Sequence, residues 1–297
     1  MSQARKTAYL ALIATMIIWG LSPPIIKFTL NFINPFEFLF FRFLVAGLVF
    51  LLPTLNLIRK NWASFQKNWQ RYLLLGLLGT PITLFFLFSG LKLTSAIDAS
   101  LIAVIAPILV VAGGGFFLKE KITKNEKIGL VIALIGTVIT LIQPLLEKQT
   151  QSSIKGNLLV LTGTIVWATF TLLSKKNKQL NSFILAGCSF LIGFFIFLPF
   201  FCLTRVNTPL TGLFLINLRA LPGIIYMAFL GSVVAYFTYL WGLKKIEASE
   251  ATIFTYLQPI FAIPAALIIL GEQPTLPFAI GALFIAIGVY LSEKREV

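Results

Sequence analysis

Leu78–Ile139, LGTPITLFFLFSGLKLTSAIDASLIAVIAPILVVAGGGFFLKEKITKNEKIGLVIALIGTVI, decides the fold, because the chain carries it twice. Moved forward by 152 residues it lies on Leu230–Leu291 without a gap. Gly79 meets Gly231, and Gly90-Leu91-Lys92 meets Gly242-Leu243-Lys244. Ala96 and Ala99 meet Ala248 and Ala251, and Pro107-Ile108 meets Pro259-Ile260. Glu120 meets Glu272, and Gly129 and Gly136 meet Gly281 and Gly288. Roughly 17 of the 62 positions are identical, and self-similarity at a fixed spacing marks a repeat architecture.

The composition places both copies in lipid. Only 11% of the 297 residues are charged and 58% are hydrophobic, against about 25% charged in soluble domains. A hydrocarbon core about 30 Å thick takes roughly 20 apolar residues of helix. Uncharged runs of that size cover 7–26, 72–91, 99–118, 128–146, 156–174, 179–204, 220–243, 251–271 and 273–292. A tenth run, 36–57, is interrupted only by Glu37 and Arg42. The expected fold is an all-α integral membrane bundle of ten transmembrane helices. No run alternates with polar residues as a half-buried strand would.

The net charge of +14 reads as topology and not as a nucleic-acid surface. With the N-terminus placed in the cytoplasm, one side receives Lys27, Lys92, Lys148, Lys155, Arg205 and Arg219. The other receives every remaining Lys and Arg except Arg42, which sits inside a span. Basic excess marks the cytoplasmic side, so both termini are expected there, in the plasma membrane. The same cations suit anionic lipid head groups. The first apolar run has no A-x-A-like cleavage site and is long enough to span, so it reads as a retained helix. Cys188 and Cys202 fall on one expected helix too far apart to pair, and read as buried structural cysteines.

Polarity peaks at 147–155, EKQTQSSIK, which reads as the linker between a first repeat at 1–146 and a second at 156–292, followed by a cytoplasmic tail at 293–297. Each half then holds five spans. An odd number makes the second copy enter from the opposite side, giving two inverted repeats. Repeats of this kind commonly place substrate at the membrane midplane, beside broken helices. Trp167 follows Trp19 by 148 residues, and Lys175 follows Lys27 by the same interval, so the first span has a counterpart too. Pro23-Pro24 should break or kink the end of the first span, and Lys27 should snorkel to the outer surface.

Trp19-Gly20, the run Arg42-Phe43-Leu44-Val45-Ala46, and the doubled Ala-x-x-Ala…Pro…Glu…Gly…Gly pattern resemble the EamA branch of the drug/metabolite transporter superfamily. The resemblance covers essentially the whole chain. It implies ten helices, a central cavity, and export of amino acids or other small metabolites. It specifies no particular cargo.

Pro107 and Pro259 lie about 16 Å of helical rise into their spans, near mid-bilayer. Each frees the carbonyl four residues earlier, at Ala103 and Thr255, which must then face a cavity or a partner. They are the expected gate or hinge. Trp19, Trp167, Tyr236, Tyr239 and Tyr256 form the expected wall of the substrate site, with Gln258 and Thr255 as polar neighbours. Buried Tyr and Trp tips need partners, and a wet cavity supplies them. Arg42 is costly in lipid and should face inward. Glu37, five residues earlier, is its expected structural partner, with binding of an anionic substrate group as the alternative. Asp98 and Glu250 sit in the first turn of their helices and read as caps, although both could couple to protons. Glu120 and Glu272 end the same helices and read as tethers.

Enzymatic readings fail by absence. The chain has no histidine, no P-loop, and a single aspartate, so it carries no expected catalytic residue, metal ligand or cofactor. The expected function is secondary transport of small organic metabolites by alternating access, in the direction of efflux. The partners are a small-molecule substrate and membrane lipid, with a proton or an exchange substrate as possible coupling. The alternative is a channel or passive pore, although the apolar runs carry no ring of charge.

Overall fold

The structure, a computed structural model, describes residues 3–117, 123–147, 152–177, 179–205, 216–246 and 254–293. Glu120, Ala248, Glu250, Ala251, residues 148–151 of the linker and residues 294–297 lie outside the described residues. Every described element is helical, and no strand occurs among them. The helices are α1 (Gln3–Thr29), α2 (Pro35–Lys60), α3 (Trp62–Leu77), α4 (Thr83–Leu93), α5 (Ala96–Ala103), α6 (Ala106–Phe117) and α7 (Lys124–Leu146). After these come α8 (Ile154–Lys176), α9 (Ser182–Thr204), α10 (Leu221–Ile225), α11 (Ala235–Lys245), α12 (Gln258–Leu270) and α13 (Leu276–Glu293). Eight described stretches are long and apolar enough to cross a membrane, and two shorter apolar helices, Phe254–Leu270 and Leu276–Leu291, follow them. This is a multi-pass membrane protein.

Short polar caps start the helices. Asn34 Oδ1 accepts the Glu37 amide at 2.9 Å, and Pro35 occupies the first position of α2, where its missing N–H costs nothing. Ser95 Oγ accepts the Asp98 amide at 3.0 Å, and Ser153 Oγ accepts the Gly156 amide at 3.0 Å. Gly271 ends α12 at φ 64, a left-handed conformation that glycine adopts without a Cβ penalty.

The long helices pack antiparallel through glycines. Cβ positions built on Gly136 and Gly288 lie 2.6 Å from the Gly281 carbonyl oxygen and 2.5 Å from the Gly129 carbonyl oxygen. The two contacts put rising numbers on α7 against falling numbers on α13, so these helices run in opposite directions. Each contact also becomes the other when 152 is added to its lower member and subtracted from its higher one. In the same way Gly90 of α4 meets Gly156 and Val160 of α8, and Gly242 of α11 meets Leu12 of α1. Small residues let backbones approach where lipid provides no hydrophobic drive.

Helical irregularities recur at the same spacing. A π turn, Leu78–Ile82, joins α3 to α4, and a π stretch, Tyr226–Val234, joins α10 to α11. Adding 152 to the first turn lands it inside the second stretch. The helix also breaks at Val104 and Ile105, between α5 and α6, and residues Phe254–Leu257 are 3-10 immediately before α12. Each break falls one turn ahead of a repeated proline, Pro107 or Pro259, whose ring disfavours helix in the preceding turn.

Several local expectations change. The structure keeps α1 as one helix through Pro23 and Pro24 to Thr29. Lys27 does not end in solvent: its Nζ donates to the Thr94 carbonyl at 2.6 Å. Glu37 does not pair with Arg42. Five residues on an α-helix separate side chains by about 140° around the axis. Arg205, at the end of antiparallel α9, reaches Glu37 instead, with Nε donating to Oε1 at 2.5 Å. Cys202 is exposed, so of the two cysteines only partly covered Cys188 approaches the buried reading.

Gly136→Val and Gly288→Val should each lower stability by about 1–3 kcal/mol, the usual cost of overpacking, because the added side chain meets backbone. Gly271→Asn should be near neutral, since nothing lies within 4 Å of its Cβ position and Asn tolerates this conformation. Melting of the detergent-solubilised protein, followed by size-exclusion fluorescence after heating, checks this. Equal melting of all three variants would show that α7 and α13 do not depend on the close approach.

Candidate functional site

The helix breaks surround a cavity of about 150 Å³ in the middle of the bundle. From the first half of the chain it is lined by Trp19, Ser22, Arg42, Gly79, Thr80, Thr83, Ser100 and Ala103. From the second half it is lined by Gly163, Thr164, Trp167, Gly231, Tyr236, Thr255 and Gln258. Its size suits a benzene-scale ligand and falls below the roughly 300–1,000 Å³ of pockets for drug-sized molecules.

One wall is aromatic. The Trp19 and Trp167 rings meet edge to face, with centroids 5.7 Å apart and planes at 90°. Tyr239 supports both from behind, 5.1 Å from Trp19 and 5.6 Å from Trp167. Trp19 Nε1 donates to the Gly231 carbonyl at 3.1 Å, which lies within the π stretch. Tyr236 stands over Gly79, whose missing side chain leaves room for the Tyr236 hydroxyl and the Phe170 ring. Phe190 meets Tyr236 edge to face at 5.4 Å. Gln258 Nε2 lies 3.3 Å from the Met16 sulfur.

Arg42 enters the cavity from α2 and is 3% exposed. Its Nε donates to Ser232 Oγ at 2.7 Å, and Nη2 donates weakly to the Gly231 carbonyl at 3.4 Å. The Phe88 ring lies 5.6 Å from the guanidinium carbon. Among the described residues Nη1 has no hydrogen-bond partner, and neither does Thr80 Oγ1, which lines the same cavity.

Of the residues expected from sequence, Trp19, Trp167, Tyr236, Thr255, Gln258 and Arg42 meet at this cavity. Tyr239 backs its wall without lining it, and Tyr256 packs at the edge of the apolar core. Pro107 and Pro259 lie outside the lining, but Ala103 and Thr255, whose carbonyls they free, are on it. Sequence reasoning missed Ser22, Thr80, Thr83, Ser100 and Thr164. Hydroxyls in apolar helices normally satisfy themselves on the preceding turn, as Ser22 does on the Ile18 carbonyl at 2.9 Å, so they give no distinctive signal.

A polar mesh closes the end of the bundle holding Thr29, Leu93 and Leu270. Glu272 follows α12 and is 3% exposed. Its two oxygens accept the Ala96 and Ile97 amides at 2.8 and 3.0 Å, capping α5 from another part of the chain. Lys92 Nζ donates to the Leu30 carbonyl, Ser152 Oγ donates to the Asp98 carboxylate, and Thr94 Oγ1 donates to Asn157 Oδ1. Ser95 caps the Asp98 amide, and the Asp98 carboxylate holds the linker through Ser152. Glu272 performs the tethering expected of it.

The EamA-like transporter family model matches residues 6–142 and 154–293. A protein of Archaeoglobus fulgidus described as an uncharacterized transporter is 27% identical over 97% of this chain and 98% of its own length. A probable amino-acid metabolite efflux pump of Salmonella typhimurium is 28% identical over 97% of this chain and 95% of its own. A crystal structure covering 98% of both chains superposes with a TM-score of 0.64 at 18% identity, which is a likeness of fold. These relatives are transporters and not enzymes.

Burial raises the Glu272 carboxyl above its ordinary 4.5, while the Ala96 and Ile97 amides and Lys27 pull it back. The folded state therefore holds this proton to higher pH than the unfolded chain. Its contribution is most favourable below 4.5, declines as pH rises from 4.5 to the raised value, and is constant beyond that. Glu272→Gln should remove this decline from the melting temperature measured between about pH 4 and pH 7. Parallel profiles for the two proteins would mean that Glu272 titrates as it does in water.

Proposed function

Because the chain belongs to the EamA-like transporter family, we propose that it is a secondary carrier exporting small organic metabolites, such as amino acids or related amphipathic compounds, by alternating access. On this reading ten helices cross the plasma membrane as two inverted repeats, 1–146 and 156–292, joined by 147–155. Both termini lie in the cytoplasm, so the Glu272 mesh is the outer end.

One observation carries the reading: the two repeated tryptophans, Trp19 and Trp167, touch each other on the wall of a cavity that both halves line. Equivalent residues of two copies meet only near the axis relating them. The reciprocal glycine contacts of antiparallel α7 and α13 support an axis lying across the helices, in the membrane plane. A cavity on such an axis can open to either side by equal rocking of the copies, as inverted repeats do elsewhere. The breaks ahead of Pro107 and Pro259 supply the bending points.

In this state Glu272, Lys27 and Lys92 hold α12, α5, α4 and α1 together at the outer end. Release of substrate outward requires Glu272 to let go of the α5 amides. Asp98 and Glu272 are the acidic groups of that mesh, beside Lys27 and Lys92, and they are where proton coupling would act. The amino-acid wording of the Salmonella typhimurium relative supports small zwitterionic or amphipathic cargo, and the modest cavity supports small cargo of any kind.

Purified protein in liposomes should show saturable counterflow of radiolabelled substrate from an amino-acid and organic-acid panel. Trp167→Ala should reduce the rate about tenfold at subsaturating substrate, because it removes an aromatic wall worth on the order of 1 kcal/mol or more. Large unitary currents without counterflow would replace the carrier by a channel.

A further inference from the structure

We infer that Arg42 is the anchor for a carboxylate, and that the cargo is a small monocarboxylate with an apolar or aromatic body. The inference rests on the carrier reading of the cavity and names what the cavity holds.

Charge comes first. Arg42 is 3% exposed, lies on a membrane-spanning helix, and lines the cavity. A cation held in a bilayer without an anion is expensive, and such residues are normally paired. Among the described residues no carboxylate reaches it. Glu37, its neighbour on α2, is held by Arg205 at 2.5 Å. Asp98 takes Ser152, and Glu272 takes the Ala96 and Ile97 amides. The lining contains no acidic residue. Among the described residues, the cavity therefore carries one positive charge with no carboxylate beside it.

Geometry selects the anion. Ser232 takes Nε at 2.7 Å and fixes the guanidinium plane. Nη1 is unpartnered, and Nη2 is engaged only by the Gly231 carbonyl at 3.4 Å. The free edge of the guanidinium is thus the planar pair of donors that matches a carboxylate in bidentate fashion. Thr80 Oγ1 lines the same cavity, is buried and has no partner among the described residues, so it is a further hydroxyl available to a ligand. A single charge suffices, because a dianion would leave a second charge unmatched in an otherwise neutral lining. Trp19, Trp167, Leu84, Leu87 and Met227 on the same lining offer an apolar body dispersion and ring faces, alongside the hydroxyls of Ser22, Ser100 and Thr164 and the Gln258 amide. An amino acid and a simple organic acid share the carboxylate end and differ at the other.

Four phenyl compounds separate these ends: phenylalanine, 3-phenylpropionate, phenylalaninamide and phenethylamine. Thermal shift of the purified full-length protein reads binding, since ligands of the native state raise its melting temperature. The expected result is stabilisation by the two carboxylates and none by the amide or the amine. Stabilisation by phenylalanine alone assigns the cargo to amino acids, and stabilisation by both assigns it to carboxylates generally. Arg42→Gln should weaken carboxylate affinity about tenfold or more, the usual cost of truncating a buried charge pair. Arg42→Lys, which keeps the charge and loses the fork, should fall between. Size-exclusion profiles and unliganded melting establish that each variant is folded. The wild-type comparison stands even if neither variant folds. A wild type that answers equally to phenylalaninamide, or to neither carboxylate, overturns the inference, as does a folded Arg42→Gln that keeps full affinity. Counterflow of a neutral or cationic compound would preserve the carrier while removing the carboxylate anchor.

Discussion

Hydrocarbon offers no partner to a carbonyl or a charge, and each departure of this bundle from a plain apolar helix follows from that constraint. The π turn at Leu78–Ile82, the π stretch at Tyr226–Val234 and the breaks ahead of Pro107 and Pro259 all border one cavity. Gly231 lies in the π stretch, and its carbonyl takes the Trp19 indole. Arg42 points to the same place from another helix. Scattered over the outer surface, these features would each cost several kcal/mol. Gathered together, they satisfy one another in part and leave the rest of their capacity to whatever enters.

The scaffold around the cavity meets a different demand. Lipid gives helices no reason to associate through apolar side chains, so close contact has to come from small residues and shape. Gly129, Gly136, Gly281 and Gly288 bring α7 and α13 into backbone contact, and Gly90 and Gly156 do the same for α4 and α8. Polar ties are concentrated at the end that carries Glu272. Packing thus holds helix pairs as rigid units, while hydrogen bonds hold one end shut.

Most of the architecture was legible because it rests on patterns that survive in one dimension. The 152-residue self-match, with Gly129 and Gly136 falling on Gly281 and Gly288, marked the small residues at which α7 and α13 come into backbone contact. Pro107 and Pro259 foretold the breaks ahead of them, whereas α1 runs unbroken through Pro23 and Pro24. The partners of charges were not legible. Glu37 was nearest to Arg42 in sequence, yet helical rotation turned it toward Arg205, 168 residues away. Lys27 was read as surface-seeking, and its acceptor, the Thr94 carbonyl, is a backbone group that no side-chain pattern reveals. Thr80 and Ser100 on the cavity wall were invisible for a related reason: a hydroxyl in an apolar run looks the same whether it caps its own helix or faces a void.

A duplicated bundle has a further consequence for how cargo is held. On the two-repeat reading, motion needs the copies to be equivalent, while recognition needs them to differ. The position 148 residues after Arg42 is Phe190, the spacing that relates Trp19 to Trp167, and the position 152 before Tyr236 is Leu84. The first copy therefore brings a cation and an aliphatic side chain to places where the second brings two rings. Phe190 and Tyr236 touch each other at 5.4 Å, and Arg42 and Leu84 both line the cavity. On the same reading the two copies bring different chemistry to equivalent places, a guanidinium in one and a ring in the other. On the carrier reading, the glycines, the prolines Pro107 and Pro259 and the π turns that serve motion are what the copies share, and Arg42, which serves recognition, is what they do not.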